Sequence, residues 1–249
     1  MELMKCIGCD LHRALMGRWF RMAIFVSAAT LYISIGSPSY DLIAQLKQVR
    51  EFGDDFYLNA SDLLLQGLQG DFGVMVLPAL SALPFAAQAL QEIKSGAIRP
   101  AVFRIGRRSW MAGKLLSTFA SGMLLQAAAA MNLLLILHLL MLICAGTWFP
   151  TGDFAHVIPV LLRRMLCGGI WSGLGGLVAL LTETASAAYL APLCLCYTMM
   201  MIGTRFFPEV PLLNPTNWLT GTVWPLLLML AFLAAALAWT MRKKVNACV

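Results

Sequence analysis

The chain alternates long uncharged hydrophobic runs with clusters of Lys and Arg, and few folds accommodate that alternation. Thirteen of its eighteen Lys and Arg residues fall in the N-terminal arm, in residues 92–114 or in the C-terminal tail. They are Lys5, Arg13, Arg18, Arg21, Lys94, Arg99, Arg104, Arg107, Arg108, Lys114, Arg242, Lys243 and Lys244. Because positive charge stays on the cytoplasmic side during insertion, the pattern predicts a multi-pass protein of a cell membrane, with both termini cytoplasmic.

Composition and run length predict the number of spans. Sixty per cent of the residues are hydrophobic and only twelve per cent are charged, outside the range of soluble domains. A helix needs about 20 apolar residues to cross a bilayer, which predicts one all-α domain, residues 1–249, with six transmembrane helices. The predicted spans are 19–35, 72–91, 115–145, 158–181, 187–206 and 222–241, with an outer loop at 36–71 and a cytoplasmic loop at 92–114. The net charge of +6 reflects this topology, and we expect no nucleic-acid partner.

The N-terminal arm carries aliphatic residues at helical spacing, namely Leu3, Ile7, Leu11 and Leu15. This stripe predicts an amphipathic helix on the cytoplasmic membrane surface, with a solvated helical arm as the alternative. Cys6 and Cys9 form a CxxC motif without the second pair that a structural zinc site requires. We therefore expect reduced thiols and no cofactor.

Proline and length define three further segments. The outer loop is predicted to contain a short amphipathic helix at 42–52, and Pro78 and Pro84 are predicted to kink span two. The run from 115 to 145 has no turn signal, so one long tilted helix is favoured over two spans. Three prolines after span five predict a broken, re-entrant path, with Trp218 and Trp224 as interfacial anchors.

Small and polar residues within the spans suggest how the helices pack. Gly169 and Gly173 form GxxxG, and Gly176 extends the small-residue spacing, which predicts close contact with a helix of this chain or of a second protomer. Gln126, Asn132 and His138 lie on different faces of span three. Bonds to neighbouring helices are favoured for them over substrate contact. Arg163 and Arg164 are expected to reach lipid headgroups, with an external vestibule as the alternative.

The spans contain no Asp or Glu, and the chain has no phosphate loop and no hydrolase motif. We therefore expect no enzymatic activity, and any active transport must take its energy from a partner. Residues 92–110 are the best candidate contact, because a short helix there would have one apolar and one basic edge. The apolar residues are Ala101, Val102, Phe103 and Ile105, and the basic residues are Arg104, Arg107 and Arg108. The alternative is a topology signal that contacts only headgroups.

The strongest local pattern is Glu92-Ile93-Lys94-Ser95-Gly96, followed by residues 104–110, RIGRRSW, and by Lys114 at the start of span three. It resembles the intracellular loop of the permease subunits of type-two ATP-binding-cassette (ABC) transporters. The resemblance implies a six-span exporter subunit, a separate cytoplasmic ATPase and a second permease protomer, identical or different, in a bacterial plasma membrane. It also implies that an ATPase-coupling loop is formed by Glu92, Lys94, Gly96, Arg104, Ile105, Arg107 and Arg108.

Two other functions remain open from the residues alone. A non-transporting membrane scaffold or sensor-associated protein is the main alternative. A lone secondary transporter is disfavoured by the lack of carboxylates in the spans and of an internal repeat. Neither the transported substrate nor the direction of transport follows from the sequence.

Overall fold

The computed structural model describes residues 2–36, 59–145 and 152–248, and this part of the chain is helical with no β-strand. The all-α prediction is therefore confirmed for these residues, whereas the helix predicted at 42–52 lies outside them. The α-helices are α1 (Glu2–Met16), α2 (Arg18–Ser34), α3 (Ala60–Gln69), α4 (Asp71–Ala82), α5 (Gln88–Lys94), α6 (Ile98–Ile105), α7 (Arg107–Ala145), α8 (Val157–Thr182), α9 (Ala185–Arg205) and α10 (Trp224–Cys248). Two 3-10 helices, Pro211–Leu213 and Pro215–Trp218, separate α9 from α10.

Four of these helices, α7 to α10, are long and apolar enough to cross a membrane. Helices α3 and α4 add a fifth candidate if they are counted as one span, although they are bent by 71°. Helix α2 has 17 residues and a length of about 25 Å, somewhat short of a typical span. The protein therefore has several helices suited to a membrane, and six spans remain a prediction.

Span two is not the continuous kinked helix that the sequence predicted. Helix α4 ends at Ala82, turns occupy residues 83–87, and α5 begins at Gln88. Pro84 disfavours helical geometry at the residue before it and lacks an N–H, whereas Pro78 lies inside α4. The described end of the predicted outer loop, residues 59–71, is not a solvated loop. Helix α3 lies there and buries Leu63, Leu64 and Leu68.

The prediction of one long helix after the cytoplasmic loop is confirmed. Helix α7 runs without interruption for 39 residues, about 58 Å, and exceeds the roughly 30 Å of a hydrocarbon core. It begins at Arg107, so residues 107–114 are helical and belong to this element rather than to a loop. The Leu- and Ala-rich sequence after Gly122 contains no Gly or Pro, which favours this uninterrupted helix.

Helix α8 lies at the centre of the bundle and packs against α7, α9, α10 and α4. In its most apolar segment 61% of the residues are buried within the protein, against 22–33% in α7, α9 and α10. The backbones of α7 and α8 meet at Gly122 and Gly168, where a Cβ on Gly168 would lie 2.6 Å from the Gly122 carbonyl oxygen. One turn further along α8, Ser172 Oγ donates to the Thr118 carbonyl at 2.8 Å. Small residues therefore allow close contact between these helices.

Three charged or polar contacts bring the basic stretches to one end of the bundle, here called the basic end. Lys114 near the start of α7 pairs with Asp10 of α1 at 2.8 Å. Arg107 donates to Asn246 of α10 at 2.6 Å. Lys244 of α10 pairs with Glu183 in the turn between α8 and α9. The arm, residues 92–114 and the tail therefore lie together, as their common basic character suggested.

The segment between α9 and α10 is broken into short helices, as its prolines predicted, but one of its tryptophans has a different role. Trp218 is only 4% exposed and stacks on Trp171 of α8 with ring centroids 5.6 Å apart. Its indole N–H donates to the Leu212 carbonyl at 2.8 Å. The prediction of an interfacial anchor is therefore wrong for Trp218, whereas Trp224 is exposed.

Candidate docking surface at the basic end

Lys114 is the centre of a buried charged cluster. Its side chain is 2% exposed, and its ammonium group lies 2.8 Å from Asp10 Oδ1 and 2.5 Å from Glu92 Oε1. The same group lies 5.3 Å from the centre of the Phe85 ring, within range of a cation–π contact. A buried charge is tolerated only when it is paired and hydrogen-bonded, and two carboxylates from different helices meet that condition here. Lys114 thereby joins α1, α5 and α7.

Glu92 accepts bonds from four side chains. Trp110 Nε1 donates to its Oε2 at 3.1 Å, and its Oε1 accepts from Lys114, from Arg13 at 3.4 Å and from Gln88 at 3.4 Å. Its side chain is only 14% exposed. Its contacts and burial leave Glu92 little capacity to bind an external partner. The structure assigns it to the base of the loop rather than to an exposed docking face.

Helix α1 contributes more than an aliphatic stripe. It forms as predicted, and its contacts are chiefly with α7. Within residues 7–16 of this helix, Asp10 and Ala14 are buried, whereas Ile7, Leu11 and Leu15 are half-buried. The carboxylate that pairs with Lys114 thus belongs to the face that contacts the bundle.

Helix α6 is the short helix expected within residues 92–114, and glycines set its limits. Gly96 before it and Gly106 after it have φ of +74° and +82°, which L side chains rarely adopt. Ile98 anchors the helix in a small apolar cluster with Trp110 of α7 and Val245 of α10. These contacts fix α6 as a short helix across the basic end.

The outer face of α6 carries an aromatic side chain beside a basic one. Phe103 is 86% exposed, the largest exposed fraction among the large hydrophobic residues that the structure describes, and neighbouring Arg104 is also exposed. Ile105, predicted to form the apolar docking edge, is half-buried. Ala101 and Val102 pack towards Trp110 and Ile98. The apolar group available to a partner is therefore Phe103.

A cleft of about 510 Å³ lies beside α6. Helices α1, α5, α6 and α7 all contribute side chains to it, and the Lys114 cluster lies at one part of its wall. Its lining residues are Cys9, Asp10, Arg13, Glu92, Ala97, Pro100, Ala101, Arg104, Ile105, Trp110 and Lys114. Charged groups and apolar surface are thus available in one concave site.

The remaining predicted loop residues do not converge on one point. Lys94 and Arg108 are exposed, and Arg107 is half-buried against Asn246. Gly96 lies at the left-handed turn before α6. The loop therefore forms an extended basic surface around α6.

The three predicted packing glycines lie on α8 and face other helices of this chain. A Cβ on Gly169 would lie 2.8 Å from Met123, and one on Gly173 would overlap the Phe119 ring. Gly176 lies beside Ala86 and Thr118. The close backbone approaches on α8, however, are at Gly168 and Gly175, where an added Cβ would lie 2.6 Å and 2.4 Å from the carbonyl oxygens of Gly122 and Ala188.

Sequence reasoning missed the role of Asp10 and assigned Lys114 only to the start of a span. It placed Phe103 among the four apolar residues of the loop but chose Ile105 as the docking residue. A Lys next to a long apolar run requires a partner, and this signal was present. Which carboxylate supplies it depends on how α1 and α5 pack, so helical spacing alone does not identify Asp10 and Glu92.

Two further predictions concern polar groups within the bundle. Gln126 is buried, and its amide donates to Ser81 of α4 at 2.6 Å, a bond between helices of the kind expected. Asn132 is half-buried, and His138 Nδ1 lies 2.8 Å from the Leu134 carbonyl of its own helix. Arg164 is 3% exposed, so the prediction that it reaches the headgroups is wrong. Arg163 is half-buried and donates to the Leu219 carbonyl at 2.9 Å.

Within the described residues, no group of three His, Cys, Asp or Glu side chains is placed to hold a metal ion. Comparisons with protein-family models, with curated proteins and with solved structures gave no significant match.

Proposed function

We propose that this chain is the membrane-spanning permease subunit of an ABC-type exporter, driven by a separate ATPase. The observation that carries the proposal is the arrangement of α6. A short helix with an exposed Phe103 beside Arg104 lies on a base fixed by the Lys114 cluster. Exposed aromatic and Arg residues are typical anchors of protein interfaces.

The rigid base matters for coupling. A motion imposed on α6 by a docked ATPase is transmitted only if the helix is fixed to the spans. Ile98 contacts Trp110 near the start of α7, and Trp110 in turn donates to Glu92 of α5. Movement of α6 would therefore shift α5 and α7 together.

In this proposal the basic end faces the cytoplasm of a bacterial cell, in agreement with the positive-inside rule. The chain crosses the membrane six times: through α2, through the broken segment α3 to α5, and through each of α7, α8, α9 and α10. Both termini then lie on the side of the ATPase.

A second permease protomer is part of the proposal. Helices α9 and α10 are mostly unburied within this chain and present exposed apolar residues such as Leu190, Leu228 and Phe232. In this proposal lipid covers much of the exposed apolar surface of α9 and α10, and the second protomer covers the rest as the dimer interface. The substrate path then lies between the protomers.

The test is capture of the ATPase by the tagged full-length chain. Phe103→Ser removes the exposed ring and retains every basic residue, so insertion is unaffected. We expect the variant to insert normally and to lose about 30-fold or more in affinity for a co-purifying protein that carries a phosphate loop, because loss of a central aromatic anchor costs about 2 kcal/mol or more.

Phe207→Ser is the matched control, since Phe207 is an exposed phenylalanine in the segment after α9. It should leave capture unchanged. If wild type captures no protein with a phosphate loop, the scaffold function is favoured. If Phe103→Ser captures the ATPase as wild type does and supports normal transport, α6 is not the coupling element.

A further inference from the structure

Arg164 occupies an unusual environment two turns into α8. Its side chain is almost completely buried, and its Nη1 donates to the Leu68 carbonyl in the last turn of α3. Its Nε lies 3.4 Å from Gln126 Oε1 of α7. Its Nη2 is buried and has no hydrogen-bond partner among the residues that the structure describes.

Among residues 2–36, 59–145 and 152–248, no side chain balances the charge of this guanidinium. In the part of the chain that the structure describes, no Asp or Glu pairs with Arg164 or lines the adjoining cavity. The C-terminal end of α3 supplies a partial negative charge of at most about half a unit. A buried charge without full compensation is costly, and Arg always remains protonated in proteins.

Gly73 of α4 lies against the unpartnered Nη2. A Cβ on Gly73 would lie 2.8 Å from Arg164 Nη2 and 2.8 Å from Ser34 Oγ of α2, too close for a side chain without displacement of one of them. Ser34 Oγ already donates to the Thr30 carbonyl of its own helix at 2.8 Å. The donor available to a ligand is therefore the guanidinium, and a guanidinium suits an anion.

A cavity of about 30 Å³ adjoins Arg164 and Gly73 and is otherwise mainly apolar. Leu77, Pro78, Trp171 and Trp218 are among its lining residues. A cavity needs about 10–15 Å³ to hold one water, so the volume suits one or two groups of that size. This size excludes phosphate esters and other large anions.

We propose that Arg164 and the cavity that it lines together with Gly73 form a binding site for one small monovalent anion, a halide or a small carboxylate. The anion neutralises the guanidinium and accepts a hydrogen bond from Nη2. It thereby lies between α4 and α8. This proposal does not depend on the exporter function, because the charge requires a partner whatever the chain transports.

The test uses the purified full-length chain in detergent, in sodium gluconate buffer free of halide. Chloride, bromide or formate replaces gluconate at constant ionic strength, and the midpoint of thermal unfolding is measured. Wild type should show a saturable rise in the midpoint with all three anions. Replacement by the much larger glutamate ion should produce no rise.

Two variants remove the site in different ways. Arg164→Met removes the charge, and Gly73→Ala keeps the charge but puts a methyl group against Nη2 at the wall of the cavity. Both should lose the anion-dependent rise, whereas Gly8→Ala, on an exposed face of α1 with nothing within 4 Å, should retain it. If Arg164→Met does not fold, Gly73→Ala alone decides.

Three results would overturn the proposal. An equal rise in wild type, Arg164→Met and Gly73→Ala would be a general salt effect. No rise in folded wild type would exclude a free anion at the site. A rise that appears only after Asp41, Glu51, Asp54 and Asp55 are neutralised together would show that a carboxylate of this chain already occupies it.

Discussion

Lys114 and Arg164 are both buried cations near opposite ends of the helical bundle, and their surroundings differ. Lys114 contacts two carboxylates, Asp10 and Glu92, from two different helices. Arg164 contacts a carbonyl oxygen and an amide, and one of its nitrogens has no partner. The first cation is compensated within the chain, whereas the second has no full charge opposite it among the described residues.

This difference separates a structural role from a binding role. A cation paired by two carboxylates fixes the helices that carry them, as expected at the base of a docking loop. A cation without a carboxylate leaves binding capacity for a group from outside. Burial alone therefore does not distinguish a structural cation from a binding one. The distinction depends on whether a carboxylate is paired with the cation.

The largest expected effect is the loss of the Lys114 ammonium. Lys114→Met leaves Asp10 and Glu92 buried without their shared counter-ion, and removal of one partner of a buried pair costs about 3–5 kcal/mol. We expect that loss in the free energy of unfolding, measured by denaturant titration in mixed micelles. Lys94→Met, on the exposed end of α5, is the matched control and should change it by less than about 0.5 kcal/mol. Comparable stability of the two variants would mean that the Lys114 cluster does not hold α1, α5 and α7 together.

The second effect concerns the contact that places Gln126 beside Arg164. Gly168→Ala puts a methyl group into the Gly122 backbone and the Gln126 side chain, and such overpacking costs about 1–3 kcal/mol. In the same titration Gly8→Ala should be neutral or stabilising, because Ala favours an exposed helix. If Gly168→Ala is as stable as wild type, α7 and α8 do not make close backbone contact at Gly122 and Gly168.

A smaller effect distinguishes the two partners of Lys114. Glu92 accepts bonds from four side chains, whereas one oxygen of Asp10 has no partner. Glu92→Gln should therefore destabilise the protein more than Asp10→Asn, by about 1 kcal/mol on the scale of charged hydrogen bonds. If Asp10→Asn loses more free energy of unfolding than Glu92→Gln, the main stabilising partner of Lys114 is Asp10 of α1.

The smallest effect is at the surface pair of Lys244 and Glu183. The hydrogen bond from Lys244 and its positive charge lower the pKa of the Glu183 carboxyl. Because the pKa is lower in the folded protein, the contribution of Glu183 to stability is complete above its ordinary pKa and is lost as the pH falls through the folded value. Wild type should therefore lose slightly more stability than Glu183→Gln as the pH falls through that range. Identical pH profiles would mean that the pair contributes nothing in solution.

Much of the fold follows from periodicity and hydrophobic length. The long α7, the turn at Glu183 and the broken segment before α10 are visible in the sequence because local residue types specify them. The break at Pro84 and the burial of α3 were not predicted, since both depend on contacts with other helices. A proline inside a helix and a proline that ends one look alike in sequence, as Pro78 and Pro84 show.

The candidate sites were less predictable than the fold. Residues 92–114 were identified from charge, and a short helix was expected there. The exposed side chain is Phe103 rather than Ile105, because a helix of eight residues can turn either edge towards the bundle. Arg164 was assigned to the membrane surface because it lies near a span end, and only tertiary packing by α3, α4 and α7 buries it.

The central claim, that one buried cation is compensated within the chain and the other is not, is tested by Lys114→Met and Arg164→Met in the same halide-free micelles. We expect the free energy of unfolding to fall by about 3–5 kcal/mol for Lys114→Met. It should change by less than about 1 kcal/mol for Arg164→Met, because removal of an uncompensated charge offsets the bonds that are lost. Equal losses of several kcal/mol in both variants would contradict the claim, since Arg164 would then have an internal partner as strong as that of Lys114.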